Sequence, residues 1–176
     1  MPELILVTGG TRSGKSRFAI ELASSFSEKV IFIATAPRNV DEEMEKRIKK
    51  HRFSRPSWWE VVEEEKDVAS HLARINSPEY AVIIDCLTLL ISNLLIEGKK
   101  EEEILNDVGK IADLGRKTGR ATIIVSNEVG WGVVPATNLG REFRDIAGLA
   151  NKLIASKADR VYLLVCGIPL KLKGKE

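Results

Sequence analysis

Cysteine and histidine are scarce in this 176-residue chain, which has two of each. The cysteines, Cys86 and Cys166, are far apart and form no C-x-x-C or zinc-ligand spacing. No disulfide framework is expected; both lie in or beside apolar runs and read as reduced core thiols of a cytoplasmic protein. Long hydrophobic runs are lacking too. The longest, Leu87 to Ile96, is broken by Ser92 and Asn93 and is shorter than the roughly 20 residues that cross a bilayer, so no membrane anchor is expected. Met1-Pro2-Glu3 leads into the first apolar run without a basic stretch, so no signal peptide is expected. Charge of one sign is also absent: 27 Lys and Arg against 25 Asp and Glu leave a net charge of +2. That balance gives no argument for a nucleic-acid partner, and no aromatic-basic array of the single-strand-binding kind is present.

The composition is that of a soluble globular protein, with 44% hydrophobic and 30% charged residues. Its length fits one domain, 1–176, able to bury a core without metal or disulfide. The apolar runs Leu4 to Thr8, Val30 to Ala34, Ala81 to Asp85, Ala121 to Ser126 and Val161 to Val165 read as buried strands, and Trp58 to Val62 as a further short one. Between them lie segments of helical period. One runs from about Ser16 to Phe26 through Phe18, Leu22 and Phe26, and one from Asp41 to about His51 carries i, i+4 acid-base pairs. Others are marked by Val68, Leu72 and Ile75, by Leu87 to Ile96, and by Glu101 to about Arg116. The last runs from Arg141 to Lys157, with Ile146, Leu149, Ala150 and Leu153 expected inward. Gly167 and the alternating Leu170-Lys171-Leu172 predict a terminal hairpin. Strands alternating with helices predict an α/β three-layer sandwich around a mainly parallel sheet.

The chemistry starts at Gly9-Gly10-Thr11-Arg12-Ser13-Gly14-Lys15-Ser16. This G-x-x-x-x-G-K-[ST] run follows a strand and opens a helix, the context in which backbone N–H groups wrap phosphate oxygens at a positive helix end. Lys15 is expected to reach the β- and γ-phosphates and the Ser16 hydroxyl to bind Mg²⁺. Downstream of such a P-loop, Asp85, ending an apolar strand, reads as a Walker-B carboxylate for Mg²⁺; a turn or N-cap aspartate is the alternative. The fold is therefore expected to be that of a RecA-like P-loop NTPase.

His51 lies among five basic residues in Arg47-Ile48-Lys49-Lys50-His51-Arg52-Phe53-Ser54-Arg55. A neutral imidazole is a competent nucleophile toward phosphorus, and surrounding cations disfavour its protonation while attracting a triphosphate. A histidine ending a charged helix also serves as a C-terminal cap or a surface residue, and the residues alone leave both readings open. His71, between the apolar positions Val68 and Leu72, reads as structural or exposed.

Nearly end to end, the chain resembles the bifunctional adenosylcobinamide kinase/adenosylcobinamide-phosphate guanylyltransferase family of cobalamin biosynthesis. The likeness rests on Leu6 to Arg17, Ile33 to Ala36, Arg47-Ile48 with His51-Arg52 and Arg55-Pro56, and Asp85 to Thr88 with Ser92 to Leu95. It continues in Ser126 to Gly130 with Gly132, Val134 and Pro135, in Phe143 to Asp145 with Gly148 and Asn151, and in Gly167 to Leu170. The resemblance implies that His51 carries GMP covalently. It also implies that Gly9 to Ser16, Ala34, Thr35, Arg52, Phe53, Ser54, Arg55, Glu63 and Asp85 contact nucleotide or metal. ATP or GTP, Mg²⁺, adenosylcobinamide and its phosphate are the implied ligands, and a homotrimer the implied assembly. Asn127-Glu128 follows a strand and is expected to face the site, in a role the sequence leaves undefined. Two other classes remain at this point: a P-loop small-molecule kinase without guanylyl transfer, and a GTP-binding regulatory module. The N-K-x-D guanine motif of regulatory GTPases is absent, since Asn151-Lys152-Leu153-Ile154 lacks the aspartate.

Overall fold

The computed structural model describes residues 2–37, 56–75 and 77–174; the helix expected over 41–51 lies outside them. The apolar runs become strands β1 (Glu3–Gly9), β2 (Val30–Ala34), β3 (Glu60–Glu63), β4 (Ala81–Asp85), β5 (Ala121–Val125), β6 (Arg160–Val165) and β7 (Ile168–Lys173). They form one sheet in the order β3-β2-β4-β5-β1-β6-β7. Every pairing is parallel except the β6–β7 hairpin. The helices are α1 (Lys15–Phe26), α2 (Val68–Arg74), α3 (Leu87–Ile96), α4 (Glu101–Gly115) and α5 (Asn138–Lys157).

Side chains alternate across a strand, so each central strand feeds two cores. Leu4 and Leu6 of β1, Ile31 and Ile33 of β2, and Val82 and Ile84 of β4 pack under α2, α3, α4 and α5. Ile5, Val7, Val30, Phe32, Ala81 and Ile83 pack on the opposite face with Ala19 and Ala23 of α1. Each fully buried Ile, Leu or Val contributes roughly 1.5–3 kcal/mol of transfer free energy. Helices on both faces of a mainly parallel sheet make the expected three-layer α/β sandwich.

Four details differ from the expectations. Helix α5 begins at Asn138 rather than Arg141, because Thr137 caps it: its hydroxyl accepts from the Gly140 amide at 3.1 Å. Leu149 is 40% exposed rather than inward, because the buried stripe of α5 runs through Ile146, Ala147, Ala150, Asn151 and Ile154. Cys166 is exposed rather than core, since it sits at φ 51° in the β6–β7 turn. On α1 the alanines face the sheet, and Phe18, Leu22 and Phe26 flank them; Phe18 meets Tyr162 edge-on with ring centroids 5.0 Å apart.

One buried polar atom has no partner among the described residues outside the site. The Thr122 hydroxyl of β5 is enclosed, and its methyl lies 3.1 Å from where a Cβ on Gly115 would stand. An enclosed hydroxyl without a hydrogen bond is a desolvation penalty. Thr122→Val, which keeps the shape and removes that penalty, is expected to stabilise the protein by about 1 kcal/mol. A thermal melt is expected to move up by roughly 2–4 °C; an unchanged or lower midpoint would contradict this reading.

Candidate active site

In an open parallel sheet, ligands bind beyond the carboxyl ends of the strands, and the chemistry-bearing residues gather at that edge. Gly9 ends β1 and Gly10 to Ser16 follow it, Ala34 ends β2 with Thr35 next, Glu63 ends β3, Asp85 ends β4, and Ser126-Asn127-Glu128 follow β5. Glu63 is the outlier, on the edge strand and separated from β1 by three others. His51, Arg52, Phe53, Ser54 and Arg55 lie outside the described residues.

The loop's shape is dictated by its glycines. Gly9 has φ 148°, and a Cβ there would stand 2.5 Å from the Leu164 carbonyl oxygen of β6, a backbone atom that cannot move aside. Gly14 is left-handed at φ 95° and turns the chain into α1. Unlike α2 and α5, whose first turns are capped by Asp67 and Thr137, α1 has no side-chain cap. Its leading N–H groups are thus the donors a phosphate can use. The turn between β6 and β7 braces the loop, the Gly167 amide donating to the Ser13 carbonyl at 3.1 Å.

Lys15 is only 7% exposed, and its ammonium donates to the Gly10 carbonyl at 2.6 Å. Burial pushes its pKa below the ordinary lysine value, against the opposing influence of Cys86, Asp85 and Glu128. Burial, with Asp85 next to it, pushes the Cys86 thiol up to about 11. Cys86 is therefore neutral at pH 7, and the negative charges acting on the lysine are Asp85 and Glu128.

The strand ends are locked to one another by side chains. The Thr35 hydroxyl accepts from the Cys86 amide at 2.8 Å and donates to the Cys86 carbonyl at 2.7 Å. The Thr35 amide donates to the Asp85 carbonyl, and Asn93 donates to the Thr35 carbonyl at 2.9 Å. The polar groups of Thr35 are therefore engaged in holding the end of β2 to the Asp85-Cys86 segment and to α3. The Asn127 side chain donates to the Thr88 hydroxyl at 2.7 Å, tying β5 to the start of α3. The Thr8 hydroxyl donates to Glu128 Oε1 at 2.7 Å, and the Glu128 amide donates to the Gly9 carbonyl at 3.1 Å. His71 of α2, by contrast, pairs with Glu64 at 3.1 Å.

The residue that orders this edge is Asn151 of α5, whose role sequence reasoning missed. Its carbonyl accepts from the Ser126 hydroxyl, and its amide donates to the Asn127 carbonyl and to Glu128 Oε1, both at 3.1 Å. The available signal was position: Asn151 shares the inward stripe with Ala147 and Ile154, and a polar residue there requires buried partners.

Comparison with known proteins decides the family. The sequence matches, over residues 5–172, the family described as cobinamide kinase / cobinamide phosphate guanyltransferase. The chain belongs to this family. It is 37% identical over 182 residues to the bifunctional adenosylcobalamin biosynthesis protein CobU of Escherichia coli K12, covering 97% of this chain and 99% of that one. It is 40% identical over 170 residues to the bifunctional adenosylcobalamin biosynthesis protein CobP of Pseudomonas aeruginosa PAO1, covering 97% of each. Its two activities are accordingly those of the family, a kinase and a guanylyltransferase acting on nucleotide substrates. The fold is shared more widely. A KaiC-like protein of Pyrococcus horikoshii OT3 aligns with TM-score 0.55 at 16% identity, over 99% of this chain and 80% of that one. The type III secretion ATPase EscN of enteropathogenic E. coli aligns with TM-score 0.58 at 11% identity, over 94% of this chain and 43% of that one.

Asn151→Ala leaves the Ser126 hydroxyl and the β5 tip without their clamp. It is expected to cost about 1–3 kcal/mol, read as a lower thermal midpoint, and to reduce turnover. Wild-type stability with wild-type turnover would show that the network is dispensable.

Proposed function

We propose that the family's two reactions run on this chain through the residues gathered at the carboxyl edge together with His51. The observation that carries the reading is the span of the family match, residues 5–172, which takes in the P-loop, Asp85 and the basic segment around His51. In the kinase reaction the amides of Gly9 to Gly14 and the Lys15 ammonium hold the phosphates of ATP or GTP, and the aminopropanol hydroxyl of adenosylcobinamide attacks the γ-phosphorus. Ser16 and Asp85 offer a hydroxyl and a carboxylate oxygen, the hard donors that suit Mg²⁺, an ion that takes few protein ligands alongside phosphate and water. Bound there, Mg²⁺ would neutralise charge on the phosphate oxygens.

In the guanylyl reaction the His51 imidazole attacks the α-phosphorus of GTP and pyrophosphate departs with the electrons of the broken P–O bond. The phosphate of adenosylcobinamide phosphate then displaces the histidine, giving adenosylcobinamide-GDP and the free imidazole. Splitting one transfer into two through a covalent intermediate is the ordinary use of a nucleophilic side chain. Arg52, Phe53, Ser54, Arg55, Ala34, Thr35 and Glu63 are assigned to the nucleotide in this reading. The chain acts as one domain, 1–176, in the cytoplasm. Among the described residues, no helix is long and apolar enough to cross a membrane.

The assembly follows from the same reading: a homotrimer. Strand β7 supports association between copies, since it leaves Ile168 and Leu172 exposed at 63% and 62% on the sheet edge, and such edges are normally covered or charged. Light scattering coupled to gel filtration tests the trimer.

Incubation with Mg²⁺ and GTP labelled at the α-phosphate is expected to give an acid-labile, alkali-stable adduct mapping to His51. His51→Ala is expected to lose the adduct and the guanylyl transfer while keeping kinase turnover. Wild-type guanylyl transfer in that variant would remove the covalent intermediate and leave His51 as a surface residue.

A further inference from the structure

The phosphoryl-transfer reaction needs a group that the P-loop does not contain. The acceptor is an alcohol, and the proton on its attacking oxygen must leave as the bond to phosphorus forms. Lys15 is a cation, and Ser16 and Asp85 are assigned to the metal. Glu63 lies at the far edge of the sheet. Among the described residues, the remaining carboxylate at the centre of this edge is Glu128, in the segment that follows β5, the strand that pairs directly with the P-loop strand.

Four observations set it apart. First, the Glu128 amide bonds the Gly9 carbonyl at 3.1 Å, which fixes its backbone against the first residue of the P-loop. Second, its Oε1 is held by two donors from different elements, the Thr8 hydroxyl at 2.7 Å and the Asn151 amide at 3.1 Å. Third, Oε2 makes no hydrogen bond among the described residues. Fourth, its charge acts on the buried Lys15 ammonium, the group assigned to the phosphates. A carboxylate anchored through one oxygen, with the other free of hydrogen bonds, follows the general pattern of a base oriented by a third group. The cost of the arrangement points the same way. Asn151 is a polar residue in the buried stripe of a long helix, and its three side-chain hydrogen bonds all go to residues 126, 127 and 128. A network that consumes a core position to orient one half-buried carboxylate is more than surface decoration.

We propose that Glu128 is a catalytic residue of the kinase reaction, accepting through Oε2 the proton of the alcohol that attacks the γ-phosphate. The alcohol oxygen bonds to the γ-phosphorus while the bond to the β,γ-bridging oxygen breaks. The electron pair of that bond leaves with the nucleoside diphosphate. The proton passes to Oε2 and returns to solvent when the products depart. Thr8 and Asn151 act as positioning residues for the carboxylate. The guanylyl reaction makes no such demand, because its acceptor is a phosphate oxygen that is already ionised at neutral pH. The inference rests on the kinase half of the proposed function and is independent of the histidine intermediate.

The two reactions of one protein supply the test. Glu128→Gln keeps an acceptor for Thr8 and Asn151 and replaces the basic oxygen with an NH₂ group. Kinase kcat is expected to fall at least about 100-fold, with the nucleotide KM within about threefold of wild type. Guanylyl transfer to added adenosylcobinamide phosphate is expected to fall far less than the kinase reaction. Glu128→Asp, which keeps the carboxylate but withdraws it by one methylene, is expected to show a smaller loss confined to the same reaction, and it serves if the glutamine variant does not fold. An unchanged kinase kcat would overturn the proposal. So would a parallel loss of both reactions or a nucleotide KM that rises with the loss, since either would make Glu128 part of the shared nucleotide or metal site. Absence of label on His51 in the unsubstituted protein would count against the histidine reading alone and leave the comparison of kcat with nucleotide KM intact.

Discussion

The parallel pairing of β1 with β5, continued past the ends of both strands, is the constraint on which the site depends. The ladder runs from Glu3 opposite Ala121 to Val7 opposite Val125. It is extended by the Ser126 amide on the Val7 carbonyl and the Glu128 amide on the Gly9 carbonyl. Those last two bonds belong as much to the loops as to the sheet. They make the P-loop and the β5 tip one surface, so the distance between a phosphate cradle and a neighbouring carboxylate is set by backbone hydrogen bonding rather than by flexible side chains. Because β5 lies between β1 and β4, the same geometry places Asp85 on the far side of the β5 tip.

The electrostatics of this edge balance burial against pairing. A lysine with 7% exposure would be unfavourable in an apolar core, and it is tolerated because Asp85 and Glu128 act on it from neighbouring strands. Neither carboxylate is bonded to it at salt-bridge distance: the ammonium rests on the Gly10 carbonyl. Charges at the end of β4 and beyond the end of β5 thus offset part of the burial penalty at a distance. The Cys86 thiol, neutral and beside the Thr88 hydroxyl, adds no further charge.

Most of the fold was legible because parallel strands buried on both faces must be continuously apolar. Val30 to Ala34 and Ala81 to Asp85 therefore coincide with observed strands, and the P-loop is marked by residues that a phosphate cradle requires. The misreadings have a common physical cause, the difference between an apolar residue and an inward one. Leu149 follows the helical pattern but lies one position off the stripe, while Ala19 and Ala23, small and easily overlooked, face the sheet on α1 because a helix close to a sheet favours small side chains. Cys166 sits in an apolar context but in a turn residue's conformation. The Asn151 network was hidden because its partners lie 23 to 25 residues away in sequence, and only the packing of α5 on the sheet joins them.

The contact of the β6–β7 turn with the P-loop, through the Gly167 amide on the Ser13 carbonyl and the close approach of Gly167 to Gly14, has a consequence for how the protein is born. Residues 9–16 leave the ribosome more than a hundred residues before two of the strands that shape them, β5 and β6, and the turn that props them. The nascent loop has no template to fold against, and the phosphate cradle closes only when the tail of the domain docks. A chain that stops before β6 holds the motif in sequence but lacks the brace that Gly167 gives Ser13.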